Sequence, residues 1–204
     1  MTSRFYLWHP NPLSMNEITG TDAENALAEI FFLKSQIILQ YVYFAKQARK
    51  DGYEQMAAIF EETSEQCRSH AKTLLRLLEE STSRVDLAYR IPALGDTATN
   101  LSQSIELETR LMTLMKTAEN MCLAEGFKRA ATKLKLFSQI SSFYIRRFTT
   151  LLENIREGRV FIKEQKVKWI CRKCGLIYES ERALHNCPGC EHPQAWFEVL
   201  AENW

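Results

Sequence analysis

The sequence predicts a mainly α protein in which a four-helix bundle is followed by a small metal-knuckle domain. Between positions 21 and 157, apolar residues recur at helical spacing in four long stretches. Near the C-terminus, four cysteines form two Cys-x-x-Cys pairs that are separated by twelve residues. We therefore divide the chain of 204 residues into an N-terminal extension (1–20), a bundle (21–162) and a knuckle domain (163–204).

The first two helices are predicted at 21–50 and 53–80. The motif Thr21-Asp22-Ala23-Glu24 has the form of a capping box, in which a threonine and a glutamate satisfy the free N–H groups of a first helical turn. The pair Asp51-Gly52 ends the first helix, because glycine favours the conformation that follows a helix end. The short connection makes the two helices antiparallel neighbours.

The next segment, 81–99, loses the helical period and contains Pro92 and Gly95. It is long for a link between neighbouring antiparallel helices, so it suits a crossover from one end of a bundle to the other. The third helix is predicted at 100–125 and the fourth at 127–157. Four helices with short first and last connections and one long middle crossover describe a ferritin-like bundle.

Charge and composition exclude several classes of partner. The net charge is +1, which argues against bulk electrostatic binding to nucleic acid or to an anionic membrane. No run of 18 apolar residues predicts a membrane span, and the first 17 residues lack the apolar core of a secretory signal. Six cysteines, four of them in knuckles, suit a reducing compartment. We therefore expect a cytoplasmic protein without nucleic-acid or membrane partners.

The two Cys-x-x-Cys pairs predict one tetrahedral metal site. Thiolates at this spacing converge on a single ion, and the candidate ligands are Cys171, Cys174, Cys187 and Cys190. Iron in such a site carries one electron, whereas zinc is structural, and the spacing leaves both metals open. The glycine after the first pair lets backbone N–H groups turn toward the sulfurs. His185 and His192 flank the second pair but lie outside a site that four cysteines close.

The C-terminal segments "EGRVFIKEQKVKWICRKCGLIY" and "NCPGCEHPQAWFEVLAENW" resemble the rubredoxin-like domain of rubrerythrins. The segment "YVYFAKQARKDGYEQMAAIFEETSEQCRSHAKTLLRLLE" resembles the rubrerythrin bundle. This resemblance implies one rubredoxin-type Fe(SCys)4 centre per chain, for which zinc can substitute. It also implies a homodimer, a redox partner protein and a role in oxidative-stress defence. Aromatic packing around the metal is expected from Trp169, Tyr178, Trp196 and Phe197.

Rubrerythrins also carry a carboxylate-bridged di-iron site in the bundle, and its ligands are missing here. Such a site needs a Glu from each of two helices and a Glu-x-x-His pair from each of the other two. The chain has no Glu-x-x-His, and no Asp or Glu occurs between positions 126 and 152. The family's ligand positions fall on Lys34, Cys67, His70, Leu107, Arg110, Ser141 and Tyr144, with an uncertainty of one residue because Glu106 and Glu108 flank Leu107. We therefore predict neither a di-iron centre nor peroxidase chemistry, and no catalytic residue in the bundle.

Three interpretations of the altered bundle pocket stay open. In the first, the core is repacked, and Lys34 and Arg110 turn outward or pair with a nearby glutamate (Glu62, Glu65 or Glu108). In the second, Lys34, Arg110 and His70 bind a small anion. In the third, Cys67 and His70, at positions i and i+3 of one helix, hold a single transition metal. Otherwise Cys67 and Cys122 are expected to be small buried apolar residues.

The leading function is one-electron transfer through the four-cysteine iron site. One rival is a zinc protein that serves as a structural or interaction module. Another rival is a peroxide-reducing enzyme that uses displaced carboxylates, with Glu29, Glu62, Glu106 and Glu108 as candidates. The cationic residues of the fourth helix are interpreted as a solvated face, because the second helix is rich in glutamate.

Overall fold

The computed structural model describes residues 18–78 and 93–203. Four helices come first: α1 (Asp22–Lys50), α2 (Glu54–Leu78), α3 (Thr97–Ala124) and α4 (Lys128–Arg156). The small domain contains β1 (Ile162–Cys171), β2 (Ile177–Arg182), one turn of 3-10 helix (Gln194–Trp196) and β3 (Phe197–Val199). The predicted mainly α architecture, a four-helix bundle followed by a small domain, is confirmed.

Some predictions lie outside the described residues. These are the first 17 positions of the N-terminal extension, the last two positions of the second helix at 79–80, most of the crossover at 81–92, and the C-terminal Trp204. The predicted domain boundary at 162/163 falls one residue inside β1, while α4 ends at Arg156. None of the helices described in 18–78 and 93–203 is long and apolar enough to cross a membrane.

Both ends of α1 are fixed by the residues that the sequence analysis identified. The Thr21 side chain accepts a hydrogen bond from the Glu24 N–H at 3.1 Å, and the Glu24 carboxylate accepts one from the Gly20 N–H at 2.6 Å. At the other end of α1, Gly52 has φ of 86°, a left-handed conformation that other residues adopt only at a cost. The predicted cap of α1 and its predicted stop at Asp51-Gly52 are confirmed.

Helix α3 begins three residues earlier than the predicted Asn100. Asp96 is its N-cap and accepts a hydrogen bond from the Thr99 N–H at 2.8 Å. The Asp51 carboxylate accepts hydrogen bonds from both the N–H and the hydroxyl of Thr97, at 2.8 and 2.6 Å. Asp51, in the loop between α1 and α2, therefore holds the first residue of α3 in place.

The bundle core contains an aromatic cluster at the packed faces of three helices. The rings of Tyr41 and Phe44 from α1, Phe60 from α2 and Phe148 from α4 are all buried. The Phe60 and Phe148 centroids are 5.5 Å apart, and those of Tyr41 and Phe148 are 5.7 Å apart. Each buried ring of this size stabilises the fold by about 1.5–3 kcal/mol relative to an exposed one.

The small domain is a three-stranded antiparallel sheet in the order β2-β1-β3. Trp169 on β1 is fully buried, pairs with Tyr178 across the sheet, and donates its indole N–H to the Ser180 carbonyl at 2.9 Å. Phe197 is also buried, and its ring meets that of Tyr178 edge-on at 5.3 Å. The expected aromatic packing is confirmed.

The small domain rests against the turn between α1 and α2. The Phe161 ring stacks on the ring of Tyr53, with centroids 6.1 Å apart and an interplanar angle of 12°. A Cβ at Gly52 would lie 3.8 Å from the Cβ of Ala195. The bundle therefore supports the knuckle domain at the end where α2 begins.

Candidate metal centre

The four predicted cysteine ligands meet at one point of the small domain. Cys171 is the last residue of β1 and Cys174 lies in the turn after it, while Cys187 and Cys190 belong to the second turn. All four Sγ atoms lie within 4.8 Å of one another. The Cys171–Cys190 distance is 3.8 Å and the Cys174–Cys187 distance is 3.5 Å. A tetrahedral ion at a metal–sulfur distance of about 2.3 Å requires sulfurs about 3.8 Å apart, so the cluster fits one metal.

Both knuckles are built from the same turn. The Cys171 carbonyl accepts a hydrogen bond from the Gly175 N–H at 2.8 Å, and the Cys187 carbonyl accepts one from the Glu191 N–H at 2.7 Å. The residue after each second cysteine is left-handed, with φ of 79° at Gly175 and 62° at Glu191. Glycine adopts this conformation freely, whereas a glutamate does so at a cost of about 1–2 kcal/mol. Each turn presents two sulfurs, and the two turns face each other, so that each sulfur of one pair lies close to a sulfur of the other pair.

Backbone N–H groups point at the sulfurs, as the glycine after the first pair predicts. Leu176 donates to Cys174, Gly189 donates to Cys187, and His192 donates to Cys190. Burial raises the pKa of Cys187, but the Gly189 N–H and the thiols of Cys174 and Cys190 outweigh it and lower that pKa to about 7. The His192 N–H lowers the pKa of Cys190, but burial and the neighbouring thiols outweigh it and raise that pKa to about 12, and the pKa of Cys174 is also raised. Cys187 is therefore the cysteine whose thiolate, the form that binds a metal, is favoured before any metal is bound.

Exposure is uneven around the cluster. Cys171 and Cys187 are buried, Cys190 is half-buried, and Cys174 is exposed. His192 is held by its own turn, with Nδ1 2.9 Å from the Cys190 carbonyl oxygen, and His185 is exposed. Within the parts of the chain that the structure describes, these four cysteines are the only group of three or more His, Cys, Asp or Glu side chains spaced to hold an ion. That they bind a metal stays a prediction.

A second group of polar side chains lies inside the bundle, and we call it the polar core cluster. Its members come from all four helices: Lys34 and Tyr41, Cys67, Glu108, and Ser141. The Lys34 Nζ donates to both Glu108 oxygens at 3.2 and 3.4 Å and lies 3.8 Å from the Cys67 Sγ. The Glu108 carboxylate also accepts from the Tyr41 hydroxyl at 3.0 Å and from the Ser141 hydroxyl at 2.6 Å.

The polar core cluster holds one cation and one anion. Burial lowers the pKa of Lys34, but the attraction of Glu108 and the hydrogen bonds outweigh it, so the pKa is raised above its ordinary value. Burial raises the pKa of Cys67 to about 11, so this side chain is a neutral thiol near pH 7. The ion pair is fully buried, with side-chain exposures of 1% and 0%. The Lys34 ammonium group thus donates hydrogen bonds to both oxygens of the Glu108 carboxylate.

The register of α3 differs from the prediction by one residue. The inward positions are Glu108 and Leu111, which are buried, whereas Leu107 is half-buried and Arg110 is exposed. The buried residues of α3 recur at spacings of three and four from Leu101 onward, and this pattern passes through 108 and 111. Extending this spacing along the sequence from Leu101 would have predicted that Glu108 points into the bundle.

The structure corrects one expectation for the altered pocket and agrees with another. Arg110 is not part of it, so a pocket with two inward cations is wrong. Lys34 pairs with Glu108, which is one of the two alternatives that the repacked-core interpretation allowed. The Ser141 hydroxyl donates to Glu108 at 2.6 Å, and the Tyr144 hydroxyl donates to the Gln66 side chain at 2.8 Å. The interpretation as a repacked core with Lys34 paired to Glu108 agrees with these contacts.

His70 is buried beside the polar core cluster and is the basis of a pH prediction. Its ring lies 4.4 Å from that of Phe137, and its Nδ1 has no hydrogen-bond partner among the described residues. Burial, together with the charge of Lys34, lowers the pKa of His70 to about 4. The neutral form is therefore the one that the folded protein accommodates.

Acid is expected to destabilise the bundle through His70. The unfolded chain binds a proton at this residue below about pH 6.5, whereas the folded chain does so only near pH 4. The stabilisation is fully present above about pH 6.5 and is lost as the pH falls toward 4. Between pH 7 and pH 5 the wild type should lose about 1–2 kcal/mol more unfolding free energy than His70→Leu, measured by urea denaturation. Equal losses in the two proteins would show that His70 is accessible to protons in the folded state.

Comparison with known families divides the chain in the same way as the structure. Residues 27–140 match the family model described as rubrerythrin. Residues 169–198 match the model described as rubrerythrin, rubredoxin-like domain. The first match covers most of the helical bundle, from within α1 to within α4, and the second contains all four cysteines of the candidate metal centre.

Individual relatives match over almost the whole chain. The rubrerythrin of Nitratidesulfovibrio vulgaris is 37% identical over 191 residues, which cover 93% of this chain and 100% of the relative. The rubrerythrin of Porphyromonas gingivalis is 34% identical and covers 92% of this chain and 94% of its own length. A putative rubrerythrin of Methanocaldococcus jannaschii is 37% identical over 81% of this chain and 86% of the relative.

Solved structures share the same fold. Mixed-valence nigerythrin is 22% identical, has a TM-score of 0.58, and the match covers 98% of this chain and 100% of that one. Fully reduced nigerythrin is 20% identical with a TM-score of 0.59 and the same coverage. At these identities the likeness supports the predicted fold, a ferritin-like bundle followed by a rubredoxin-like domain.

Proposed function

The chain belongs to the rubrerythrin family, and from that premise we propose that it transfers single electrons through one Fe(SCys)4 site and holds no di-iron centre in its bundle. The metal ligands in this proposal are Cys171, Cys174, Cys187 and Cys190. The observation that carries it is the buried ion pair of Lys34 and Glu108. The resemblance to rubrerythrins implies metal ligands at Lys34 and at Leu107 or its neighbour, so the pair supports the proposal.

Two features of the knuckle domain favour a redox site over a purely structural one: the N–H groups that point at the sulfurs and the exposure of one ligand. Iron bound by four thiolates alternates between ferrous and ferric states. Backbone N–H groups directed at the sulfurs stabilise the negative charge of the reduced state, which is one way that proteins raise a reduction potential. The two buried cysteines exclude water, and the exposed Cys174 leaves one edge of the site open. We place electron exchange with a redox partner protein at that edge.

The chemistry of the polar core cluster opposes a pair of metal ions. Two iron ions less than about 4 Å apart need bridging carboxylates to offset their charge. Here Glu108 is the one buried carboxylate of the cluster, and its oxygens accept hydrogen bonds from Lys34, Tyr41 and Ser141. A metal at Glu108 would have to displace these donors and stand beside an ammonium group. The remaining inward groups, a neutral thiol and an aliphatic side chain at position 111, add no negative charge.

The displaced carboxylates of the peroxidase alternative do not converge. Of the four candidates, Glu62 and Glu106 are exposed, Glu29 is half-buried and Glu108 is buried. Glu62 pairs with Arg147 at 2.6 Å on the outer surface. A di-iron site needs several carboxylates aimed at one point, so these four positions favour the proposal over this rival.

An absorption spectrum with a redox titration tests the proposal against the zinc alternative. Protein purified from iron-replete cells should show the intense visible bands of ferric thiolate. One electron equivalent per chain should remove these bands, and reoxidation should restore them. A colourless protein with one zinc per chain from the same cells would favour a structural module and overturn the electron-transfer assignment.

A further inference from the structure

The two turns of the metal centre carry different residues at one equivalent position. Both turns close with the same hydrogen bond, between the carbonyl of the first cysteine and the N–H four residues later. An exchange of the two turns maps the sulfur contact of 3.8 Å onto the one of 3.5 Å, so the turns are related by an approximate two-fold axis. The residue directly before the second cysteine is Lys173 in the first turn and Gly189 in the second.

Gly189 leaves space over one sulfur atom. A Cβ at this position would lie 3.4 Å from the Cys174 Sγ, 3.8 Å from the Cys187 Sγ and 3.8 Å from the Cβ of Leu176. These are ordinary van der Waals distances, so a side chain at position 189 would fit. It would cover the Cys174 sulfur first, because that atom is the nearest.

The backbone does not require a glycine at this position. Gly189 is not among the glycines that have a positive φ in the described part of the chain, whereas Gly175 in the first turn is. A conformation outside the left-handed region is open to residues that have a Cβ. The missing side chain at position 189 therefore changes the space around the sulfur rather than the shape of the turn.

The exposure of the two outer sulfurs follows the same difference. Cys174 is exposed, whereas Cys190 is half-buried. By the equivalence of the two turns, Lys173 has the position relative to Cys190 that Gly189 has relative to its own sulfur. The Lys173 side chain is held in place, since its Nζ lies 5.2 Å from the centre of the Trp196 ring. One outer sulfur thus has a long side chain at the equivalent position, and the other has none.

We propose that Gly189 keeps an opening over the Cys174 sulfur, and that electrons enter and leave the metal site by contact through this opening. This inference rests on the one-electron function proposed above. One electron passes between the site and the partner's redox group, and no bond of the protein forms or breaks. The partner reaches van der Waals contact with this sulfur, whereas the other three are buried or half-buried. Gly189 acts as a positioning residue that sets the distance of closest approach.

Alkylation of the zinc-loaded full chain tests the opening without a redox step, because zinc binds the same four thiolates. Iodoacetamide should modify Cys174 before the other three ligands, as peptide mass spectrometry identifies. Gly189→Leu should slow this modification at least about tenfold, since the reactivity of a thiolate depends on its exposure. Gly189→Ala, which adds only the Cβ at van der Waals distance, should give an intermediate rate.

The matched control for alkylation is Ala201→Leu, which enlarges an exposed side chain of the same domain and should leave the rate unchanged. An equal or faster rate in Gly189→Leu would contradict the opening. Earlier modification of another ligand cysteine in the wild type would contradict it as well.

Electron exchange of the iron-loaded full chain tests the contact. Reduction by hexaammineruthenium(II) and reoxidation by ferricyanide are both followed through the visible bands. Gly189→Leu should slow both reactions at least about tenfold, because the reagents are held away from the sulfur. A change of reduction potential alone would slow one direction and speed the other, so that outcome, or unchanged rates, would overturn the contact. A protein that holds zinc in iron-replete cells would overturn the electron-transfer function and the contact with it, while the alkylation rates still decide the opening.

Discussion

Glu108→Ala is expected to destabilise the bundle by about 3–5 kcal/mol, because it leaves the ammonium group of Lys34 buried without a counter-charge. The same change removes the acceptor for the hydroxyl groups of Tyr41 and Ser141. The loss is measured as the change in unfolding free energy from urea denaturation, followed by circular dichroism at 222 nm. This signal reports the four helices and not the small domain.

Two further variants separate charge from packing in this prediction. Glu106→Ala, on the exposed face of the same helix, should change stability by less than about 0.5 kcal/mol. Lys34→Met combined with Glu108→Leu removes both charges and should recover at least half of the loss, since an uncharged core no longer contains an unpaired ion. A Glu108→Ala variant that loses less than 1 kcal/mol would show that the ion pair does not hold the centre of the bundle.

Cys187→Ser is expected to abolish the metal site and to unfold the small domain while the bundle remains folded. The buried core of this domain contains few large side chains, chiefly Trp169 and Phe197, so metal binding has to supply much of its folding free energy. Iron content should fall below about a tenth of an equivalent, and the visible bands should disappear. Trp169 should become exposed, which tryptophan fluorescence detects, whereas the helical signal at 222 nm should change little.

Cys122→Ala is the matched control for the cysteine change. Cys122 is buried in α3 and lies outside the sulfur cluster, so its removal should leave the iron content and the visible spectrum unchanged. A Cys187→Ser protein that keeps one iron per chain would place the metal elsewhere in the molecule. That outcome would contradict the assignment of the four cysteines as ligands.

The elements that follow from local patterns were predictable from the sequence. Helical periodicity predicts all four helices, and the Thr21 capping box and the Asp51-Gly52 stop match the structure. The Cys-x-x-Cys spacing predicts the convergence of four sulfurs. The start of α3 was missed by three residues, because Asp96 acts as an N-cap in a segment that otherwise has turn character.

The polar core cluster was less predictable because it depends on rotation and on distant partners. A shift of one residue turns a helical side chain by about 100°, which is the difference between Leu107 pointing inward and Glu108 doing so. Lys34 and Glu108 belong to different helices, and no local pattern shows that they meet. The left-handed conformation of Glu191 was also hidden, since a glutamate gives no sign of the turn that a glycine would indicate.

The number of iron atoms per chain is the most direct test of the central proposal that the four sulfurs are the single redox metal site. Elemental analysis of protein from iron-replete cells should give one iron per chain, with an anomalous scattering peak only among Cys171, Cys174, Cys187 and Cys190. About three iron atoms per chain, with two neighbouring peaks beside Glu108, would contradict it.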